Sequence, residues 1–150
     1  GAFKDAASLA EAVAVQWPFA HEGAPYVVMT GGEPLLQVDT PLIDALHEQG
    51  FEIAVETNGT IAAPDGIDWV CVSPKANAKL NQTRGNELKL VYPQTTAMPD
   101  RFEHLDFDFF MLQPMDDIDA QKNTEHCVVY CRDHPKWRLS LQTHKVLGIP

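Results

Sequence analysis

Apolar residues never run long in this sequence. No stretch approaches the roughly 20 residues that cross a bilayer, and the amino terminus shows no signal-peptide pattern, so no membrane association is expected. Basic residues are scarce, with 11 Lys and Arg against 21 Asp and Glu and a net charge of −10. That balance argues against a broad basic patch and against direct nucleic-acid binding. Cysteine is sparse too. Cys71, Cys127 and Cys131 are odd in number and lack framework spacing, which argues against a disulfide-stapled secreted domain and makes the cytoplasm the expected location. Cys127 and Cys131 lie four apart on a predicted helix, where they share a face and read as buried, inert thiols. Repeats, linkers and low-complexity tracts are missing as well. What is present suits one domain over residues 1–150: 45% of the side chains are hydrophobic and 21% charged, enough to bury a core.

The apolar spacing predicts helices and strands in alternation. Ser8 to Val15 has helical periodicity, with Asp5 or Ser8 as its cap. Pro41 to Gln49 is an amphipathic helix, with Thr40 as cap, Pro41 in the first turn and Gly50 as the stop. Gln121 to Arg132 is a third helix, with Asp119 near its start. Six short apolar runs read as strands: Tyr26–Met29, Phe51–Glu56, Trp69–Ser73, Glu87–Val91, Asp108–Leu112 and Trp137–Leu141. The span from Pro93 to Asp106 reads as loop or weak helix. Apolar strands interleaved with helices predict an α/β fold with a largely parallel sheet. Three helices are too few for a complete eight-fold barrel.

Each strand ends in a cluster of small and polar residues. After the first comes Thr30-Gly31-Gly32-Glu33-Pro34. Two glycines permit close approach of a ligand to the main chain, Pro34 stiffens the loop, and Glu33 is an acceptor able to hold an ammonium group. Such a pair by itself also marks a plain tight turn. The later strands give Glu56-Thr57-Asn58-Gly59-Thr60, Ser73-Pro74-Lys75, Tyr92-Pro93-Gln94, Gln113-Pro114-Met115-Asp116 and Gln142-Thr143-His144-Lys145. Singly, Asn58-Gly59 or Ser73-Pro74 can be a turn or a strand stop. Parallel strands would place all of these clusters on one rim, around one cavity.

Thr30-Gly31-Gly32-Glu33-Pro34 resembles the glycine-rich motif of radical S-adenosylmethionine (SAM) enzymes. Glu56 to Thr60, Val72 to Lys75, Glu87 to Val91, Leu112 to Met115, and above all the tail from Trp137 to Lys145 that ends Gly148-Ile149-Pro150, narrow the resemblance to the 7-carboxy-7-deazaguanine synthases. It covers nearly the whole chain. It implies an abbreviated, partial parallel β/α barrel, a lyase activity in queuosine and 7-deazapurine biosynthesis for tRNA modification, and the conversion of 6-carboxy-5,6,7,8-tetrahydropterin to 7-carboxy-7-deazaguanine with loss of ammonia. The cofactors implied are SAM, a [4Fe-4S] cluster and Mg2+. The implied partners are the small pterin substrate, a second copy in a homodimer, and an electron donor such as flavodoxin.

Carried onto this chain, the resemblance gives substrate contacts to Thr30 and to the terminal carboxylate of Pro150, whose two oxygens suit the parallel donors of the pterin amino–imino edge. It gives SAM contacts to Gly32, to Ser73, Pro74 and Lys75, and to Gln113, Pro114, Met115 and Asp116. Gly31, Glu33, Glu56 and Asn58 are further candidates. The family holds its cluster on an N-terminal three-cysteine loop ahead of the first helix, whereas this sequence opens at that helix with Gly1-Ala2-Phe3-Lys4. The implied expectation is a C-terminal portion whose cluster and magnesium ligands lie in an N-terminal segment, and which is inactive alone. Another radical SAM enzyme of activase type, or a non-catalytic SAM-binding module, are the competing readings of the same motifs.

Overall fold

The six apolar runs pair into one sheet. The structure is a computed structural model that describes residues 2–17 and 23–149. Along the described chain come α1 (Ala6–Val15), β1 (Tyr26–Met29), α2 (Thr40–Glu48), β2 (Glu52–Thr57), β3 (Trp69–Val72), β4 (Arg84–Tyr92), β5 (Asp106–Pro114), α3 (Ala120–Asp133), β6 (Trp137–Leu139) and α4 (Thr143–Leu147). Single 3-10 turns lie at Pro34–Leu36 and Pro99–Arg101, the latter within the span expected as loop or weak helix. The sheet order is β1-β2-β3-β4-β5-β6 and every neighbouring pair is parallel. Each strand is thus added on the same side of the last. Parallel crossovers keep one hand, so such a sheet carries its helices on one face and curves as part of a barrel.

Strand alternation separates the two faces. Ile53, Val55, Val72, Leu88, Leu90, Phe110, Leu112 and Trp137 are buried on the helix side, against Ala10 of α1, Leu42, Ile43 and Leu46 of α2, and Cys127 of α3. The alternate residues, including Val28, Glu56, Cys71, Lys89, Met111 and Gln113, form the inner face. Trp69 and Phe109 stack at 5.9 Å between centroids on this face. No helix among the described residues is long and apolar enough to cross a membrane.

The local signals hold with instructive exceptions. Asp5 caps α1, accepting from the Ser8 N–H at 2.8 Å while the Ser8 hydroxyl accepts from the Asp5 N–H at 3.3 Å. The cap of α2 is Asp39, not Thr40: its carboxylate accepts from the Leu42 N–H at 3.1 Å, which places Thr40 already in the helix. Gly50 follows α2 at φ +82, as a stop should. β4 and β5 are longer than their apolar cores, because pairing sets their ends: Arg84 lies opposite Asp106 and Tyr92 opposite Pro114. Gly85 is required inside β4, since a Cβ there would meet the Val70 carbonyl oxygen at 2.9 Å and Phe107 at 3.0 Å. β6 is shorter than expected. After Ser140, whose N–H donates to Leu112 O at 2.8 Å, the chain peels away into α4, a fourth helix beyond the three expected.

Candidate ligand-binding site

The carboxyl ends of the strands frame a cavity of about 480 Å³. It is lined by Thr30, Gly31 and Gly32 after β1, by Glu56 to Asn58 at the end of β2, and by Ser73 and Lys75 after β3. Lys89 and Val91 of β4, Gln113 of β5 and the segment from Ser140 to His144 complete the wall. A Cβ built on Gly31 or Gly32 meets nothing within 4 Å, and Gly31 has φ +118. The backbone of this loop therefore faces open space that a ligand can enter.

Glu33 lies beside the cavity and does not line it. Its carboxylate is committed to the protein. Oε1 accepts from the Leu35 N–H at 3.1 Å and from the Thr57 hydroxyl at 2.7 Å, and Oε2 accepts from the Asn58 N–H at 2.8 Å. Thr57, buried at 2% exposure, accepts in turn from the Gly59 N–H at 3.0 Å. Glu33 thus ties the glycine loop to the end of β2. Three of its acceptor positions are therefore used inside the protein, and the tie gives Glu33 a structural role beside any contact with a ligand. Pro74 is likewise buried and lines no wall of the cavity. It shapes the turn between Ser73 and Lys75, which do.

Several cavity side chains keep unspent polar capacity. Asn58 uses its carbonyl oxygen on the Thr60 N–H at 2.8 Å, which leaves its NH2 group for the cavity. Ser73 donates its hydroxyl to Lys89 O at 2.9 Å and keeps its lone pairs. Lys89 reaches across β3 to Glu56, with Nζ 2.8 Å from Oε1. Burial alone would lower the Lys89 pKa, but the Glu56 hydrogen bond and the neighbouring acidic groups hold it above the ordinary lysine value. With Lys75 also lining it, the cavity offers two ammonium groups in a chain of net charge −10. That set suits a ligand bearing a carboxylate.

The wall after β5 divides. Gln113 lines the main cavity, whereas Pro114, Met115 and Asp116 line an adjoining one of about 130 Å³ that shares Gln113, Leu141 and Gln142 with it. Asn123 of α3 fixes this loop by donating to Met115 O at 3.0 Å and to Asp117 Oδ1 at 2.9 Å. Lys145 of α4 pairs with Asp116 and closes the far side. Pro150 lies outside the described residues. Thr57 was expected on the rim only as part of its cluster, and Lys89 was not assigned to the site from sequence. The signal for Lys89 was present: a lysine alternating with Leu88 and Leu90 in an apolar strand must face the opposite side from the core.

The thiols do not fit an iron–sulfur cluster. Cys71 is on β3 and Cys127 and Cys131 are on α3. All three are free thiols, the first two buried. Burial pushes Cys71 and Cys127 up to about 12 and raises Cys131 as well, which disfavours the thiolate that binds metal. Among the described residues, no group of three or more His, Cys, Asp or Glu side chains could hold a metal ion.

A singly wound parallel sheet with a polar cavity at its carboxyl rim defines the partial-barrel class of α/β enzymes. Comparison with known proteins gives the family. The 7-carboxy-7-deazaguanine synthase of Bradyrhizobium diazoefficiens is 60% identical over 149 residues, covering 99% of this chain and 70% of the relative. That of Caulobacter vibrioides is 60% identical over 153 residues, covering 100% of this chain and 71% of the relative. The crystal structure of QueE from Escherichia coli matches with a TM-score of 0.69 at 30% identity, over 91% of this chain and 63% of that one. No family model matches the chain. The chain belongs to the 7-carboxy-7-deazaguanine synthase family, of which it spans about 70% of the length.

Proposed function

We propose that this chain supplies the SAM site and part of the pterin site of a radical SAM lyase that converts 6-carboxy-5,6,7,8-tetrahydropterin to 7-carboxy-7-deazaguanine, releasing ammonia on the route to queuosine. The observation that carries this reading is the rim cavity, in which the open Gly31-Gly32 backbone, Ser73, Lys75 and Gln113 converge from three separate strand ends. SAM, when bound, supplies the hydrogen-abstracting chemistry. The chain's own groups bind and orient. Gly31 and Gly32 leave main-chain polar groups for the methionine end, and Lys75 offers an ammonium to a carboxylate or to ribose oxygens. The adjoining cavity of Pro114, Met115 and Asp116 takes the adenine and ribose end. Thr30 faces the pterin. Glu33 and Pro74 hold this constellation in place.

The cysteines of this chain do not serve the [4Fe-4S] cluster in this reading. Its ligands, and those of the assisting Mg2+, belong to an N-terminal segment of the enzyme. A homodimer and an electron donor such as flavodoxin complete the working system. The test is SAM titration of the full-length protein. Gly32→Trp should abolish measurable binding by filling space the ligand needs, and Lys75→Met should cost on the order of 1.5–3 kcal/mol. Unchanged SAM affinity in both folded variants would overturn the assignment.

A further inference from the structure

The Lys89–Glu56 pair is built into the inner face one step below the rim, and nothing in the reading above uses it as a pair. Lys89 extends from β4 over β3 to reach Glu56 on β2, and its side chain is only 16% exposed. Glu56 takes one of the three ammonium protons. Its own Oε2 has no protein partner among the described residues. Both residues line the main cavity, and Glu56 also lines a second inner-face cavity of about 280 Å³ beside Val28, Trp69 and Cys71. An unspent N–H donor and an unspent carboxylate oxygen, locked together by an ion pair, therefore front the same space. Such a pair is complementary to a ligand edge that carries an acceptor and a donor side by side.

A reduced pterin has that edge: the O4 carbonyl lies next to N5–H. In the oxidised ring of 6-carboxypterin, N5 carries no hydrogen and becomes a second acceptor. Resting on the function proposed above, we infer that Lys89 and Glu56 bind the O4/N5–H edge of the tetrahydropterin, Lys89 donating to the carbonyl and Glu56 accepting from N5–H. The pair thereby selects the reduced substrate over its oxidised form. Glu56 then belongs to the substrate and not to SAM. Adenine also has a donor beside an acceptor, so the test must separate the two ligands.

The full-length protein, as wild type, K89M and E56Q, is titrated without reductant against 6-carboxy-5,6,7,8-tetrahydropterin, 6-carboxypterin and SAM, and a thermal melt is recorded for each variant. The wild type should bind the reduced pterin at least about tenfold more tightly than the oxidised one. E56Q should lose most of that preference, because an amide can donate to a bare N5. K89M should weaken both pterins by about 10- to 100-fold. SAM affinity should stay within about twofold throughout, well below the cost of one lost charged hydrogen bond. If E56Q keeps the full wild-type preference, the pair does not read this edge and the inference falls. If SAM affinity drops in parallel with pterin affinity, the pair serves SAM or the fold, and the inference falls equally. If K89M does not fold, E56Q decides alone. A wild type that binds SAM but neither pterin overturns the proposed function itself, an outcome distinct from the other two.

Discussion

Replacing Glu33 by Gln changes one atom and removes one charge, and the network around it fixes the consequence. The carboxylate accepts three hydrogen bonds, two on Oε1 and one on Oε2. An amide must turn its NH2 group toward one of these two sites. Turned toward the Oε2 site, it opposes the Asn58 N–H. Turned toward the Oε1 site, it opposes the Leu35 N–H, although the Thr57 hydroxyl can rotate to accept. Either way one backbone donor loses its partner, and the remaining bonds lose their charge assistance. Hydrogen bonds to charged groups contribute about 1.5–3 kcal/mol, and a stranded partly buried donor costs about 1–3 kcal/mol. E33Q should therefore lose about 2–4 kcal/mol of stability, read as a lower urea midpoint at unchanged slope. SAM affinity should fall with it, since the tie aligns Gly31 and Gly32 with Asn58. The reasoning is refuted if E33Q unfolds within about 0.5 kcal/mol of wild type, the range of a neutral surface change, while SAM binding alone is lost. That result would make Glu33 a ligand contact and not a tie.

Gly85→Ala should destabilise by about 1–3 kcal/mol through overpacking, because the new Cβ would sit 2.9 Å from Val70 O and 3.0 Å from Phe107; the urea midpoint reports it, and a neutral result would show that β3 and β4 can shift apart. Asp68 accepts from the Ile53 N–H at 2.8 Å and pairs with His47 at 3.0 Å, and these bonds hold its carboxyl below the ordinary value. Its contribution is fully present above the unfolded carboxylate pKa of about 4 and is lost as pH falls through the lower folded value. The stability gap between wild type and D68N should accordingly close on acidification below about pH 4, and a gap that widens there would contradict the assignment. Anaerobic reconstitution of these 150 residues should load no stable [4Fe-4S] cluster, given the placement of the thiols. Four irons and four sulfides per chain by chemical analysis would refute that.

Short-range pattern was sufficient to read most of the elements. Short apolar runs bounded by polar and turn residues placed the strands, because strands of a parallel sheet covered by helices are largely apolar along their length. Asp5, Pro41 and Gly50 marked helix ends, because capping is satisfied within three or four residues of chain. The polar clusters after each strand could be read for the same reason, and parallel pairing alone then brings them to one rim. Element ends were less legible. β4 and β5 extend past their apolar cores because partners far away in sequence supply their hydrogen bonds. The five residues of α4 carry too little periodicity to show as a helix.

The sequence by itself determined the family, the fold class and which strand ends carry polar groups. Tertiary structure decided how those groups are used. Glu33 and Asn58 are 25 residues apart and Lys89 and Glu56 are 33 apart. One contact closes a carboxylate onto the protein and the other leaves a carboxylate oxygen turned to the cavity. Local sequence puts Glu56 on the inner face of β2 and Glu33 in the loop after β1, but it does not say which partners each carboxylate finds. Their difference arises from the register of the sheet and the direction each side chain takes from it. Those depend on packing across the whole core, and local propensity does not encode them.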